Sequence, residues 1–221
     1  MRAVEFLSIL SKESQSYFTG EELKRKIELH EPQCEPCEGV KEGYSESAKC
    51  CTYFPFVPNY RITGLPERVL QELSNQGNFT YMGVHPNREY RKQFALSPFG
   101  QNSSLKCPLF QKNQCSIWTQ RPGECQLFFC KPFKEIQFKR DMKNFMSEME
   151  FGLSQLSALY AGRSLEEIQW SLSVFDHNES LSLDGEIEKF YKECSELYGQ
   201  YKQVWIRELR ESLSPLFIDA F

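Results

Sequence analysis

MKNFMSEMEFGLSQLSALYAG, residues 142–162, decides the architecture of this chain. Its apolar positions Met142, Phe145, Met146, Met149, Leu153, Leu156 and Tyr160 advance by 3, 1, 3, 4, 3 and 4 residues. That spacing returns to one side of a helix at each turn, so it predicts an amphipathic helix with a buried stripe, closed by Gly162. The methionines read as pliable core filler. Just beyond, Ser164 and Glu167 have the spacing at which each side chain accepts from the other's backbone N–H, which predicts a second, shorter helix through Trp170. Gly185 opens a third, along which Ile187, Phe190, Tyr191, Cys194, Tyr198, Tyr201 and Trp205 keep the helical period. Glu186, Glu188 and Glu193 read as its solvated face. Cys194 lies on the apolar stripe, between Tyr191 and Leu197, and reads as a buried, inert thiol.

Toward the N-terminus the character changes. After a short apolar segment at Val4 to Leu10, Thr19 and Glu22 form a second capping signal, and GEELKRKIEL predicts a helix ending near His30. EPQCEPCEGVKEGYSESAKCC, residues 31–51, is broken by Pro32, Pro36, Gly39 and Gly43 and reads as an irregular loop. TYFPFVPNYRITG is aromatic and β-branched but carries Pro55 and Pro58, so it reads as extended rather than as a central strand. Pro66 suits the first turn of a helix over PERVLQELSNQ, with Gly77 at its end. From Asn78 to Lys134 no long helical period occurs. Ordering such a stretch costs about 1–2 kcal/mol per residue in backbone entropy, and a bound metal would offset that cost. The expected fold is mainly α, with little β: a helical bundle or hairpin (about 135–221) packed on an irregular, metal-stapled, Cys-rich region (about 31–134), in one domain.

The metal enters through the cysteines. Nine are present, and eight of them, Cys34, Cys37, Cys50, Cys51, Cys107, Cys115, Cys125 and Cys130, fall within one stretch. The N-terminal segment has Glu5 in its short apolar run and no small-residue cleavage site, so it does not read as an export signal. No run approaches the roughly 18 consecutive apolar residues of a membrane span. A soluble, cytoplasmic chain is therefore expected. In a reducing compartment, thiols gathered this densely read as metal ligands ahead of disulfides or inert buried thiols. Thiolates suit zinc, copper(I) and iron–sulfur clusters rather than magnesium or calcium.

Cys34 and Cys37 place two sulfurs on one turn. Cys50 and Cys51 are adjacent, so an extended backbone would point them to opposite sides. The later four thiols are separated by 7, 9 and 4 residues. CPLFQKNQCSIWTQRPGECQLF, residues 107–128, resembles the second half of the zinc- or iron-chelating cysteine-cluster family, through Cys107, Pro108, Cys115, Ile117, Trp118, Arg121, Pro122 and Cys125. Cys34, Cys37, Cys50 and Cys51 resemble its compact first half, although twelve residues separate Cys37 from Cys50 where the family has few. After Cys125 the family's usual Arg and Pro are replaced by Gln126 and Phe129, and Cys130 follows. The resemblance implies metal chelation without fixing a reaction. Some larger members resemble flagellin lysine methylases, which leaves an enzyme conceivable.

Only one C-x-x-C knuckle is present where a zinc ribbon usually has two, and four thiolates at looser spacing also hold an iron–sulfur cluster. The expected cofactor is an iron–sulfur cluster, slightly favoured, or zinc. Phe110, Trp118, Phe128, Phe129 and Phe133 would shield a cluster, or simply pack. Arg121 is a candidate cofactor-binding residue, its guanidinium offsetting thiolate charge, with a turn-stabilising role as the alternative. His30 is a lesser candidate ligand, and His85, in VHPN, reads as a turn residue. No glycine-rich phosphate loop, G-x-S-x-G or H-E-x-x-H motif occurs. A net charge of −4 and a pI near 5.6 argue against nucleic-acid binding through a globally basic surface. The run Lys131, Lys134, Lys139, Arg140 and Lys143 reads as a solvated helix face. Three roles follow: a metal-binding protein with a structural, electron-transfer or sensing task; a cluster-dependent enzyme acting on a protein side chain; or a module binding a protein partner through Tyr191, Tyr198 and Tyr201.

Overall fold

The computed structural model describes residues 53–96, 105–111, 114–117, 122–126, 137–177 and 179–213. In chain order its elements are β1 (Val57–Pro58), α1 (Asn59–Ile62), α2 (Glu67–Gln76), β2 (Gly77–Thr80), β3 (Gly83–Pro86) and α3 (Arg88–Leu96). There follow β4 (Phe110–Gln111), β5 (Gln114–Cys115), α4 (Gly123–Gln126), α5 (Gln137–Tyr160), α6 (Leu165–His177) and α7 (Gly185–Leu213). The described residues are mainly helical, with one small three-stranded sheet and one short hairpin.

Helix α5 forms where its stripe predicts. Phe145, Met146, Met149 and Leu153 are fully buried, while Tyr160, at its end, is largely exposed against Tyr201 and Trp205. Gly162 stops the helix at φ +83°, a conformation that favours glycine. The Gly162 and Arg163 N–H groups donate back to the Leu159 and Ala158 carbonyls, both at 3.0 Å, satisfying acceptors at the helix end. The Ser164–Glu167 capping pair is as read: Ser164 N–H donates to Glu167 Oε2 (2.7 Å) and Glu167 N–H to Ser164 Oγ (3.2 Å). Helix α6 runs on past Trp170 to His177. Ser171 and Ser173 donate to the Glu167 and Trp170 carbonyls and stay within the helix. In α7 the Asp184 carboxylate caps the first turn, accepting from the Glu186 and Ile187 N–H groups.

Helix α7 packs against α5 and α1. Tyr191 is buried and its hydroxyl donates to the Thr80 carbonyl (2.8 Å), and Tyr198 stacks on Tyr60 at 4.0 Å. These two tyrosines therefore belong to the core, which corrects their reading as partner-facing anchors. Burying each ring stabilises the fold by a few kcal/mol (~1.5–3), and the Tyr191 hydroxyl keeps a hydrogen bond there.

The sheet has order β1-β3-β2, antiparallel throughout, with Phe79 opposite Val84 and Val57 opposite Val84 on the other side. Pro58 sits on an edge strand, where its missing N–H is tolerated. Gly83, at φ +142°, lies so close to β1 that a Cβ would collide with the Val57 carbonyl oxygen. Asn59 ties the sheet to α5: its Nδ2 donates to the Tyr81 and Ser154 carbonyls, and its Oδ1 accepts from Ser157 Oγ. One buried cluster joins Phe54 and Val57, the Cys107–Ile117 hairpin, α5 and α7, so the hairpin shares the helices' core.

Candidate functional site

Of the residues assigned to a metal or cofactor from sequence, Cys107, Cys115 and Cys125 are described. Cys34, Cys37, Cys50, Cys51, Cys130 and Arg121, like His30 and the predicted helix over residues 20–30, lie outside the described residues. Cys107 and Cys115 belong to one hairpin. The Phe110 N–H donates to the Cys107 carbonyl (2.8 Å), closing a turn, and Phe110 pairs with Cys115 across the strands. Ser116 donates to the Leu109 carbonyl through both its N–H (2.8 Å) and its hydroxyl (2.9 Å). The two cysteines thus lie at the same end of the hairpin, with Cα atoms within roughly 12 Å by the reach of a turn and a strand pair. Cys107 is buried and Cys115 half-buried.

Cys125 sits in the short helical turn α4, where its N–H donates to the Pro122 carbonyl (2.9 Å). That turn is clamped to α5 by Glu150. The Glu150 side chain is 3% exposed, and its two oxygens divide the work. Oε2 accepts from the Gly123 N–H at 2.8 Å, and Oε1 pairs with Arg61 Nη2 at 3.0 Å. A carboxylate so buried is stable only because both oxygens are engaged. Gly123 is required by closeness: a Cβ there would lie 2.9 Å from Met146 Cβ and 3.4 Å from Glu150 Oε2. Next to it, Glu124 accepts from the Tyr53 hydroxyl (2.7 Å), with Lys143 Nζ at 3.9 Å. Lys143 also lies over the Tyr53 ring at 5.7 Å, so this member of the basic run is folded against α4 rather than simply solvated. Burial first, then the Glu124 carboxylate and the Cys125 sulfur, push the Tyr53 phenol far above its usual range.

Beside this turn lies a cavity of about 340 Å3. Phe56, His85 and Phe151 meet on it with ring centroids 4.5, 4.6 and 6.1 Å apart. Tyr90 and Phe94, four residues apart on α3, contact Phe54 and Tyr53 edge-on at 5.5 and 5.8 Å. Arg91 and Glu124 also line it. His85 is no turn residue: it lies in β3 opposite Asn78, with no exposed surface. Burial and then the Arg91 charge hold its imidazole down to about 3, so it is neutral at physiological pH. Sequence reading missed His85 and Glu150, because each draws its partners from residues distant in the chain.

Cys194 contrasts with the hairpin and α4 thiols. It is fully buried in α7, and burial pushes its thiol up to about 12. It is the inert thiol its position on the stripe predicts. No disulfide joins any two of the four described cysteines. Among the described residues, no group of three or more His, Cys, Asp and Glu side chains is gathered as a metal ion requires, and no helix is long and apolar enough to cross a membrane. The chain matches no protein-family model, no curated protein and no solved structure.

Proposed function

We propose that the chain is a cysteine-cluster metal-binding protein holding an iron–sulfur cluster or zinc, with a structural, electron-transfer or sensing role. Cys107, Cys115 and Cys125 would supply thiolates, joined by Cys34, Cys37, Cys50, Cys51 and Cys130, with Arg121 offsetting their charge. The observation that carries the reading is the clamp on α4. A buried carboxylate, paired with Arg61, holds the backbone of the turn that carries Cys125. Ligating residues are commonly held by such surrounding hydrogen bonds, which orient the donor atoms. The hairpin adds a pair of thiols from one end of one small element. A soft sulfur donor set suits the two proposed metals and no hard cation.

The test is anaerobic purification of the full chain with metal quantification and visible absorption. Stoichiometric iron with sulfide, or stoichiometric zinc, is expected, falling when Cys115 and Cys125 are both replaced by serine. A folded protein holding neither metal rules the proposal out.

The cavity favours a second reading, an enzyme whose metal acts on a bound molecule, because Glu124 lines the cavity and is the chain neighbour of Cys125. Turnover that disappears with the metal would distinguish it from a structural or electron-transfer role.

A further inference from the structure

The cavity beside α4 has a composition that goes beyond the metal reading and does not depend on it. Six of its ten described lining residues are Phe or Tyr, and none is Leu, Ile, Val or Met. Aromatic pairs are worth about 0.5–1.5 kcal/mol beyond the area that they bury, so these ring faces and edges favour another ring over an aliphatic group. At about 340 Å3 it stands at the small end of the range for small-molecule sites, about 300–1,000 Å3. That size matches a flat bicyclic compound rather than a peptide or an acyl chain.

The polar groups narrow the class. His85 is fully buried and neutral, so it contributes a ring wall and no charge. An aromatic enclosure with a carboxylate also suits a cationic ammonium, but here the charges oppose one. Glu124 already receives the Tyr53 hydroxyl and faces Lys143, while Arg91 lines the cavity and its positive charge reaches His85. We infer that this cavity is a binding site for a neutral or anionic, planar, bicyclic aromatic molecule, packed against Phe56 and Phe151 and bordered by Phe94 and Arg91.

Saturation-transfer NMR on the full chain as isolated tests this, with three probes: indole-3-carboxylate, cyclohexanecarboxylate and tetramethylammonium. Indole-3-carboxylate is expected to give saturable transfer, with the other two at least several-fold weaker. Phe94→Leu, at a half-buried position on α3, removes one ring and should weaken indole-3-carboxylate by roughly two- to tenfold. Phe151→Leu should do the same from the opposite element. No saturable binding of indole-3-carboxylate at millimolar concentration overturns the inference, as does equal binding of the aliphatic or the cationic probe. Affinity unchanged in both leucine variants overturns it too. Because these readouts do not require bound metal, they can succeed where the metal proposal fails, and the reverse.

Discussion

Replacing Glu150 by leucine conserves much of its volume and removes its two acceptors, so the change isolates the clamp. Arg61, its side chain 8% exposed, would then lose the Glu150 carboxylate, and the Gly123 N–H would lose its Glu150 acceptor. Stranding one member of a buried ion pair costs about 3–5 kcal/mol. With a urea dependence near the upper end of about 1–3 kcal/mol per molar, that loss lowers the unfolding midpoint by roughly 1–2 M. Replacing both members, as Arg61→Met with Glu150→Leu, removes the guanidinium as well and leaves mainly the loss at the Gly123 N–H, worth about 1–3 kcal/mol. The double variant is therefore expected to be more stable than the single one. Urea unfolding followed by far-UV circular dichroism measures both. If Glu150→Leu costs under about 1 kcal/mol, or the double variant is no more stable than the single, the clamp is not what holds α4.

His85 supplies a pH signature. Its pKa is lowered from 6.5 to about 3 in the folded protein, so the unfolded chain takes the proton first as pH falls. Stability is then full above about pH 6.5 and declines by up to ~1.4 kcal/mol per unit as pH falls toward 3. His85→Leu should flatten that decline relative to wild type, and an identical acid profile for the two proteins would contradict the burial assigned to it. Gly123→Ala must push Cβ into Met146 and should cost about 1–3 kcal/mol in urea unfolding; a neutral result would mean that α4 does not lie this close to α5. Ser164→Ala removes one bond of the α6 cap and should cost roughly 1 kcal/mol, read as a fall in melting temperature. Cys194 should resist a thiol reagent in the native, metal-free protein while Cys115 and Cys125 react, and equal labelling of Cys194 would refute its burial.

Which parts of this structure the sequence makes legible follows from how local their causes are. The α5 stripe, the Ser164–Glu167 cap and the stop at Gly162 depend on residues within a few positions of one another, so period and spacing reveal them. The same holds for α2, bounded by Pro66 and Gly77. The hairpin of β2 and β3 does not announce itself because Gly77, Asn78, Phe79 and Thr80 are all buried, leaving no alternation of apolar and polar residues. Its turn, Tyr81–Met82, also lacks the usual glycine or asparagine signal. Helix α3 presents only Tyr90 and Phe94 to the interior, too few points to define a period. The thiols of the candidate site are conspicuous in the sequence, but the clamp is not. Arg61 and Glu150 stand 89 residues apart, and nothing local to either marks it as the other's partner.

If thiols spread along the chain hold an inorganic centre, elemental analysis of anaerobically isolated protein will find it. Iron with acid-labile sulfide, or zinc, is expected in stoichiometric amount, with Cys194→Ala leaving that amount unchanged and the Cys115→Ser, Cys125→Ser pair reducing it. Well-folded protein free of both metals, or metal content that survives loss of Cys115 and Cys125, would contradict it.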